Sequence, residues 1–244
     1  MPNPIADPLV EVPDTDSQSR SVLIDASPEG VATVTINRAA RKNAFDAETI
    51  GALREAFETL EGADGVRVIF ITGAGGTFSA GADLAWMRDA AGHTESDNRD
   101  DAMAMAVMLK HLHDLPALTV ALIEGVAFGG GAGLAAACDM AIATADARFA
   151  FSEVKLGLLA ATISPYVIAA IGPRRARGLF ATGRVFGAEH ARRSASSTRW
   201  WPMPARSPRR ETISRAKSWP APRARSPSPS DLSRMSPAAI SITP

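Results

Sequence analysis

A glycine-rich turn between a buried strand and a small-residue segment is the feature that most constrains this chain. The apolar run from Leu118 to Ile123 predicts a buried strand, and three consecutive glycines, Gly129 to Gly131, follow it. The small residues from Leu134 to Ala137 predict a helix start. The first backbone N–H groups of a helix lack partners, and glycine lets a ligand approach closely. The turn therefore predicts a backbone donor for a developing negative charge.

A second turn of the same kind lies upstream. Val66 to Thr72 alternates and is rich in β-branched residues, which predicts a strand, and Phe78 to Met87 leaves it through small residues into a short helix. Asp83 can cap that helix, which leaves the N–H of Ala82 free. Two strand-to-helix turns, each offering one N–H, are what an oxyanion hole for an enolate requires. Loss of one such donor typically costs about 3–4 kcal/mol in the transition state.

A carboxylate, Glu153, follows the glycine-rich turn after room for one strand and one further turn. Stabilisation of a negative oxygen together with an acid/base is the minimum equipment for chemistry beside a carbonyl. Two plainer interpretations stay open, a close-packed structural turn at Gly129 to Gly131 and a solvated strand-end carboxylate at Glu153. Leu134 in place of a last glycine excludes the dinucleotide-binding fingerprint, and the absence of Gly-Lys-Ser/Thr excludes a P-loop.

Several segments resemble the enoyl-CoA hydratase/isomerase (crotonase) superfamily, in the order and spacing of that family and over residues 20 to 191. They are Val31 to Asn37 with Lys42-Asn43-Ala44, Thr72-Gly73, Phe78 to Asp83, Gly125 to Asp139, and Ser152 to Gly157. Each segment alone is a weak signal, whereas the ordered set is specific. The resemblance implies the α/β fold class, as a crotonase-like ββα spiral.

The resemblance also implies roles for individual residues. Ala82 and Gly130 would donate their N–H groups to the thioester oxygen of an acyl-CoA, and Glu153 would exchange protons. The residues implied for substrate binding are Lys42, Asn43, Ala44, Ser79, Ala80, Gly81, Asp83, Trp86, Gly129 and Gly133. Two of these keep structural alternatives, since Asp83 also suits a helix cap and Trp86 suits core packing.

One departure from the family changes the expected chemistry. Hydratases of this family usually carry two glutamates that hold the water; the second matches Glu153, but the first falls at Gly133. Leu159 to Tyr166 resembles the subgroup that acts on branched or carboxylated enoyl-CoAs, the methylglutaconyl-CoA hydratase-like enzymes. We therefore expect hydration of a 2-enoyl-CoA ahead of isomerisation by a single glutamate. A non-catalytic acyl-CoA binder or inactive remnant is the alternative from another class.

The end of the chain differs in composition from the rest. Residues 192–244 hold 11 Lys/Arg, 2 Asp/Glu, 12 Ser and 9 of the 17 Pro. Such a composition is typical of disorder or of nucleic-acid contact, but a shifted reading frame fits better. Recoding Ser194 to Pro204 one base out of frame gives Ile-Gly-Leu-Val-His-Glu-Val-Val-Ala-Asp-Ala, which resembles the continuation of the family. We expect a flexible segment 1–20, a folded core 21–191, and a disordered tail 192–244 in place of the helical trimerisation subdomain.

The expected partner is an acyl-CoA thioester, with no nucleic acid and no membrane. We expect no metal and no cofactor, because CoA is part of the substrate. Residues 1–20 lack the apolar run of a signal peptide, and Cys138 is the single cysteine, which together favour a cytoplasmic location. The family implies a homotrimer or hexamer. The tail makes that doubtful here, so poor assembly is expected.

Hydrophobic periodicity predicts the elements around these motifs. The expected elements are a hairpin at 21–25 and 31–37, helices at 46–60, 96–112, 163–171 and 176–181, and strands at 66–72, 118–123 and 140–143. The methionines at positions 103, 105 and 108 are expected in the buried face of the second helix.

Overall fold

The computed structural model describes residues 20–194, 200–203, 212–213 and 216. The strands are β1 (Val22–Ser27), β2 (Val31–Ile36), β3 (Val68–Gly73), β4 (Leu118–Ile123), β5 (Val126–Phe128), β6 (Met140–Thr144), β7 (Arg148–Ala150), β8 (Phe186–Gly187) and β9 (Trp200–Met203). The α-helices are α1 (Ala47–Glu61), α2 (Leu84–Ala90), α3 (Glu95–Asp114), α4 (Gly130–Ala137), α5 (Ser164–Ile171), α6 (Pro173–Thr182) and α7 (Ala188–Ser194). Short 3₁₀ turns cover Ala39–Arg41, Ala74–Gly76 and Glu153–Leu156.

The main sheet has the strand order β1-β2-β3-β4-β6-β9, and a second sheet has the order β5-β7-β8. β1 and β2 form an antiparallel hairpin, and the remaining pairs of the main sheet are parallel. Every residue of β3 is buried, as expected for a strand covered on both faces by the rest of an α/β fold. The expected α/β fold class is therefore confirmed.

Helices α1 and α3 form from clear local signals. The side chain of Asp46 caps α1 by accepting the N–H of Thr49 at 2.9 Å, and Thr94 with Asp97 forms a capping box at the start of α3. The apolar face expected for α1 is buried, and its members are Ile50, Leu53, Phe57 and Leu60. These two helices pack on each other. Their packing places α3 beside the glycine-rich turn.

The expectation for the methionines of α3 is correct for two and wrong for one. Met105 and Met108 are buried, whereas Met103 is 58% exposed. Two residues correspond to about 200° around a helix. Met103 therefore lies on the side of α3 opposite to Met105.

The predicted strands and helices occur with ends shifted by a few residues, but the second sheet has no counterpart in the sequence analysis. Its strands β5, β7 and β8 have three, three and two residues. Such lengths are too short for a periodicity to register. This small sheet matters because β5 leads directly into the glycine-rich turn.

Most of the tail lies outside the described residues. Within it, β9 pairs in parallel with β6, with Ala141 opposite Trp200 and Thr144 opposite Met203. Thr212 and Ala216 are buried. The expected flexibility of 1–20 and disorder of 192–244 fall largely on residues that are not described, and both stay predictions. Among the described residues, the helices are too short or too polar to cross a bilayer.

Candidate active site

The two predicted turns meet through a pair of glycines. A Cβ placed on Gly81 would lie 2.7 Å from the carbonyl oxygen of Phe128 and 3.6 Å from the Cα of Gly129. Gly81 has φ +90° and Gly129 has φ +47°, a region that L side chains rarely adopt. Close approach and positive φ both require glycine at these two positions. The residues that follow them, Ala82 and Gly130, are therefore brought to neighbouring places.

The direction of the Ala82 N–H is set by pairing with the segment before α1. Phe45 donates its N–H to the Gly81 carbonyl at 2.7 Å, and its own carbonyl accepts the N–H of Asp83 at 2.7 Å. A trans peptide points its C=O and N–H in opposite directions. Since the Gly81 carbonyl points at Phe45, the N–H of Ala82 points away from it.

Gly130 is the first residue of α4, where helix geometry leaves the N–H without an internal partner. Its Cα faces apolar side chains, because a Cβ there would lie 3.0 Å from Cε of Met105 and 3.2 Å from Cδ2 of Phe45. Within the described residues, neither the Ala82 N–H nor the Gly130 N–H donates to a protein acceptor. Two partly exposed backbone donors beside one another can bind a negatively charged oxygen.

Glu153 lies against Gly129, the residue before Gly130. It begins the 3₁₀ turn that follows β7, and its Oε1 is 3.1 Å from the position of a Cβ on Gly129. Its Oε2 is buried without a hydrogen-bond partner among the described residues. Burial raises the pKa of this carboxyl above its ordinary value. A desolvated carboxyl beside two backbone donors is suited to moving a proton.

We expect Glu153→Gln to raise stability at neutral pH. The pKa of Glu153 is higher in the folded than in the unfolded chain, so the stability linked to this group is present below its ordinary pKa and is lost as the pH rises through the raised value. A neutral amide avoids that loss, which solvent screening of this partly exposed group keeps small. Thermal unfolding at pH 7 should therefore shift to higher temperature than that of the parent.

The control for this measurement is Glu55→Gln, because Glu55 is an exposed carboxylate of α1. Below pH 4 the gain from Glu153→Gln should vanish, since the carboxyl is then protonated in both the folded and the unfolded chain. An equal gain at pH 4 and pH 7 would show that the charge is not its origin.

The position of the missing glutamate is occupied by an apolar side chain. A Cβ on Gly133 would lie 2.1 Å from Cγ2 and 2.6 Å from Cβ of Ile163, the residue that precedes α5. Ile163 is 1% exposed. Gly133 lies one helical turn after Gly129, so Ile163 and Glu153 flank the start of α4. The space into which a side chain at 133 would project is filled.

The loop that contains Lys42 and Asn43, which the resemblance places along CoA, is fixed by hydrogen bonds of a buried side chain. Lys42 and Asn43 both have positive φ, and Asn43 is fully buried. The Asn43 amide donates to the carbonyls of Ala74 at 2.9 Å and Thr77 at 2.6 Å. Lys42 is exposed, and its carbonyl accepts the N–H of Ala80 at 2.9 Å. Lys42 thus lies at the surface where this loop meets the Ala80 turn, while Asn43 shapes the loop.

The remaining predicted residues fall around the same turn. Ala44 and Ser79 are buried, and the Ser79 hydroxyl accepts the N–H of Gly81 at 3.2 Å. Asp83 caps α2 by accepting the N–H of Ala85 at 2.9 Å, and this bond, together with nearby Arg38, lowers the pKa of Asp83 despite its burial. Trp86 is half-buried and packs on the hydrophobic core, as its structural alternative predicted.

Sequence reasoning did not find three groups that shape the site, Phe45, Arg38 and Ile163. Phe45 follows the Lys42-Asn43-Ala44 motif and pairs with Ala82. Arg38 precedes that motif and bonds to Asp83 at 3.3 Å. Ile163 lies 30 residues from Gly133 along the chain. For Ile163 the available signal in the sequence was Gly133, because the space left by its missing side chain must be filled by another residue.

Comparison with known proteins gives the same assignment as the geometry. The sequence profile described as enoyl-CoA hydratase/isomerase matches residues 26–219. A putative enoyl-CoA hydratase from Thermus thermophilus is 36% identical over 162 residues, which cover 66% of this chain and 64% of the relative. The 1,2-epoxyphenylacetyl-CoA isomerase of Escherichia coli is 33% identical over 165 residues, 67% of this chain and 63% of the relative.

Solved structures show the same similarity. A putative enoyl-CoA hydratase/isomerase (crotonase) from Legionella pneumophila superposes with a TM-score of 0.77 at 40% identity, covering 82% of this chain and 76% of the other. An enoyl-CoA hydratase from Mycobacterium smegmatis gives 0.75 at 30% identity, with coverages of 82% and 78%. Fold and site define an α/β protein of the crotonase type. The chain belongs to the enoyl-CoA hydratase/isomerase family.

Two details of the match concern the length of the chain. The chain spans less than two thirds of the length of these two curated relatives, 64% and 63%. The family match continues to residue 219, whereas the motifs recognised in the sequence end near residue 191. Similarity to the family thus extends into the tail, residues 192–244, as far as residue 219.

Proposed function

We propose that this protein is an enzyme that adds water to a 2-enoyl-CoA thioester. The observation that carries the proposal is the contact of Gly81, which precedes Ala82, with Gly129, which precedes Gly130 and lies against the Glu153 carboxylate. The thioester oxygen would accept both N–H groups, which stabilise the enolate that forms when a nucleophile adds to C3. The family match supports an acyl-CoA as the substrate.

A single carboxylate can complete the hydration. As the oxygen of water forms its bond to C3, the Glu153 carboxylate takes a proton from that water. The C2–C3 π electrons move towards the thioester oxygen, where the two N–H groups stabilise the charge. The protonated Glu153 then gives its proton to C2, which restores the thioester and the ionised carboxylate. The raised pKa of Glu153 supports both halves of this transfer, because it brings the acid and base forms closer in energy.

Isomerisation of a 3-enoyl-CoA to the 2-enoyl-CoA is the second candidate, and the Gly133–Ile163 contact favours it. With Ile163 in the place of a second carboxylate, one group fewer can hold a water. Isomerisation needs no water, since Glu153 takes a proton from C2 and returns it to C4. We place hydration first because Leu159 to Tyr166 resembles the branched or carboxylated enoyl-CoA subgroup, and we propose such branched substrates.

An absorbance assay separates the two reactions. Hydration of a 2-enoyl-CoA removes the absorbance of the conjugated enoyl thioester, whereas isomerisation of a 3-enoyl-CoA creates it. We expect loss of absorbance with 2-enoyl-CoAs, faster for a 3-methyl substrate than for a straight chain. A gain with 3-enoyl-CoA and no loss with 2-enoyl-CoA would replace the first candidate by the second. Acyl-CoA binding in calorimetry without turnover of either would indicate a non-catalytic binder.

The Gly133–Ile163 contact predicts a strong coupling between the two positions. Gly133→Ala should destabilise by about 1–3 kcal/mol through overpacking, and Ile163→Gly by about 2–5 kcal/mol through the cavity it leaves. In the double variant the new methyl group enters the vacated space. The stability lost by the double variant should therefore be at least about 1 kcal/mol smaller than the sum of the losses of the two single variants. Urea unfolding of the four proteins measures this. Additive losses would mean that Ile163 does not occupy the space beside Gly133.

We further propose that the segment after residue 193 derives from a shifted reading frame. Support comes from β9, because recoding replaces its Trp200–Met203 by Val-Val-Ala-Asp, and valine suits a parallel strand beside β6. Resequencing of the coding DNA tests this, since one restored base near codon 194 should open a family-like frame. Light scattering after gel filtration should then give a trimer or hexamer for the repaired protein. A monodisperse trimer of the unrepaired chain would contradict the proposal.

A further inference from the structure

We propose that Arg38 is a positioning residue that fixes the Ala82 N–H in the direction that catalysis needs. The proposal goes beyond the reaction itself and rests on the proposed function for the identity of the bound thioester. Arg38 lies two residues after the end of β2 and precedes the loop that carries Lys42. Its side chain is 20% exposed, so most of the guanidinium is removed from solvent.

The guanidinium of Arg38 joins two separate parts of the chain. One nitrogen, Nη1, donates to the carbonyl of Ala44 at 2.5 Å. The other, Nη2, lies 2.5 Å from Oδ2 of Asp46 and 3.3 Å from Oδ2 of Asp83. Ala44 and Asp46 belong to the segment that leads into α1, whereas Asp83 caps α2. A planar guanidinium can hold several acceptors at once in fixed directions, which a point charge cannot.

These contacts lie on both sides of the catalytic peptide. Ala44 and Asp46 flank Phe45, and Asp83 directly follows Ala82. Phe45 and Ala82 themselves form the parallel bridge that points the Ala82 N–H outward. Arg38 therefore closes a ring around this bridge, and a shift of Asp83 relative to Ala44 would rotate the peptide between Gly81 and Ala82.

The rest of the loop cannot substitute for this contact. Asn43 ties the loop to Ala74 and Thr77, which lie ahead of the turn and not after Ala82. The Asp83 carboxylate also accepts the N–H of Ala85, and that bond serves the cap of α2. Within the described part of the chain, the side chain of Arg38 contacts both Asp46 and Asp83. Loss of Arg38 would thus leave the loop folded, and the Ala82 peptide would be oriented by the two Phe45 backbone hydrogen bonds without the side-chain contact that braces them.

The test combines kinetics with the spectrum of a bound substrate, in the full 244-residue chain. Arg38→Met keeps the apolar stem and removes the three contacts. We expect kcat to fall about tenfold or more while KM for the enoyl-CoA changes less than about threefold, because the interaction matters most for the charged transition state. Arg38→Lys should recover only part of kcat. The matched control is Arg67→Met, since Arg67 also joins two segments, donating to the Glu29 carbonyl at 2.7 Å, away from the site.

The spectroscopic measurement uses Glu153→Gln, which should bind a conjugated enoyl-CoA without turning it over. Two N–H groups on the thioester oxygen polarise the conjugated system and shift its absorbance to longer wavelength. We expect this shift with Glu153→Gln and its reduction to half or less when Arg38→Met is added. A full shift in the double variant would overturn the role of Arg38 and leave the proposed function intact. No shift in Glu153→Gln itself would overturn the oxyanion hole, and the role of Arg38 with it.

Discussion

Replacement of Glu153 by glutamine should lower kcat/KM for the enoyl-CoA by about 10²- to 10⁴-fold, the range typical for loss of a general acid/base. The amide has nearly the same shape but cannot accept a proton from water and return it to C2. Binding of the thioester should persist, because the backbone donors at Ala82 and Gly130 remain. Stopped-flow absorbance gives the rate, and calorimetry with a non-reacting acyl-CoA gives the affinity.

Glu55→Gln is the matched control for this experiment, since the same chemical change is made on the exposed face of α1. The raised pKa of Glu153 adds a pH signature. The rise of kcat/KM with pH should occur above the ordinary carboxyl range, because the base form is required and burial disfavours it. A rate for Glu153→Gln within a factor of two of the parent would remove Glu153 from the mechanism.

The second large effect is expected from Ala82→Pro, which deletes one oxyanion donor. Proline lacks the N–H, and removal of one such donor typically costs about 10²- to 10³-fold in kcat. The Ala82 N–H has no protein acceptor among the described residues, so the change breaks no hydrogen bond that the structure contains. Single-turnover measurements should show the loss in the chemical step. The spectral shift of a bound enoyl-CoA should shrink in parallel.

A proline placed at the first position of α1, Ala47→Pro, serves as the control. The N–H of Ala47, at the first position of α1, also makes no helical hydrogen bond. The backbone of Asp46 is extended, which is the conformation that a following proline favours. The thermal unfolding of both variants reports whether the backbone tolerates proline. If Ala82→Pro folds, binds acyl-CoA and retains full kcat, the upstream turn is not part of the oxyanion hole.

Local chemistry in the sequence was sufficient to predict the elements that carry the two candidate donors. The glycine run predicted the start of α4, and Asp83 predicted the cap of α2, because capping depends on residues only two or three positions apart. The apolar face of α1 could also be predicted, because the spacing of its apolar residues from Ile50 to Leu60 repeats over about three helical turns. These features need no knowledge of distant contacts.

Features that depend on distant contacts could not be predicted. The approach of Gly81 to Gly129 joins positions 48 residues apart, and a side chain 30 residues beyond Gly133 fills the space beside it. Three-residue strands such as β5 carry no usable period. Met103 was misplaced because apolar character was counted without its position around the helix.

The contact between Gly81 and Gly129 has a consequence for how such a protein can change during evolution. Both proposed oxyanion donors are main-chain groups, so a substitution other than one to proline leaves the N–H itself in place. If the proposed roles hold, binding of the thioester oxygen is separated from the choice of reaction, which then depends on the few side chains around it, here Glu153 and the Gly133–Ile163 pair. In that case a lineage can exchange one carboxylate for an apolar residue and take up new chemistry while the backbone donors are retained.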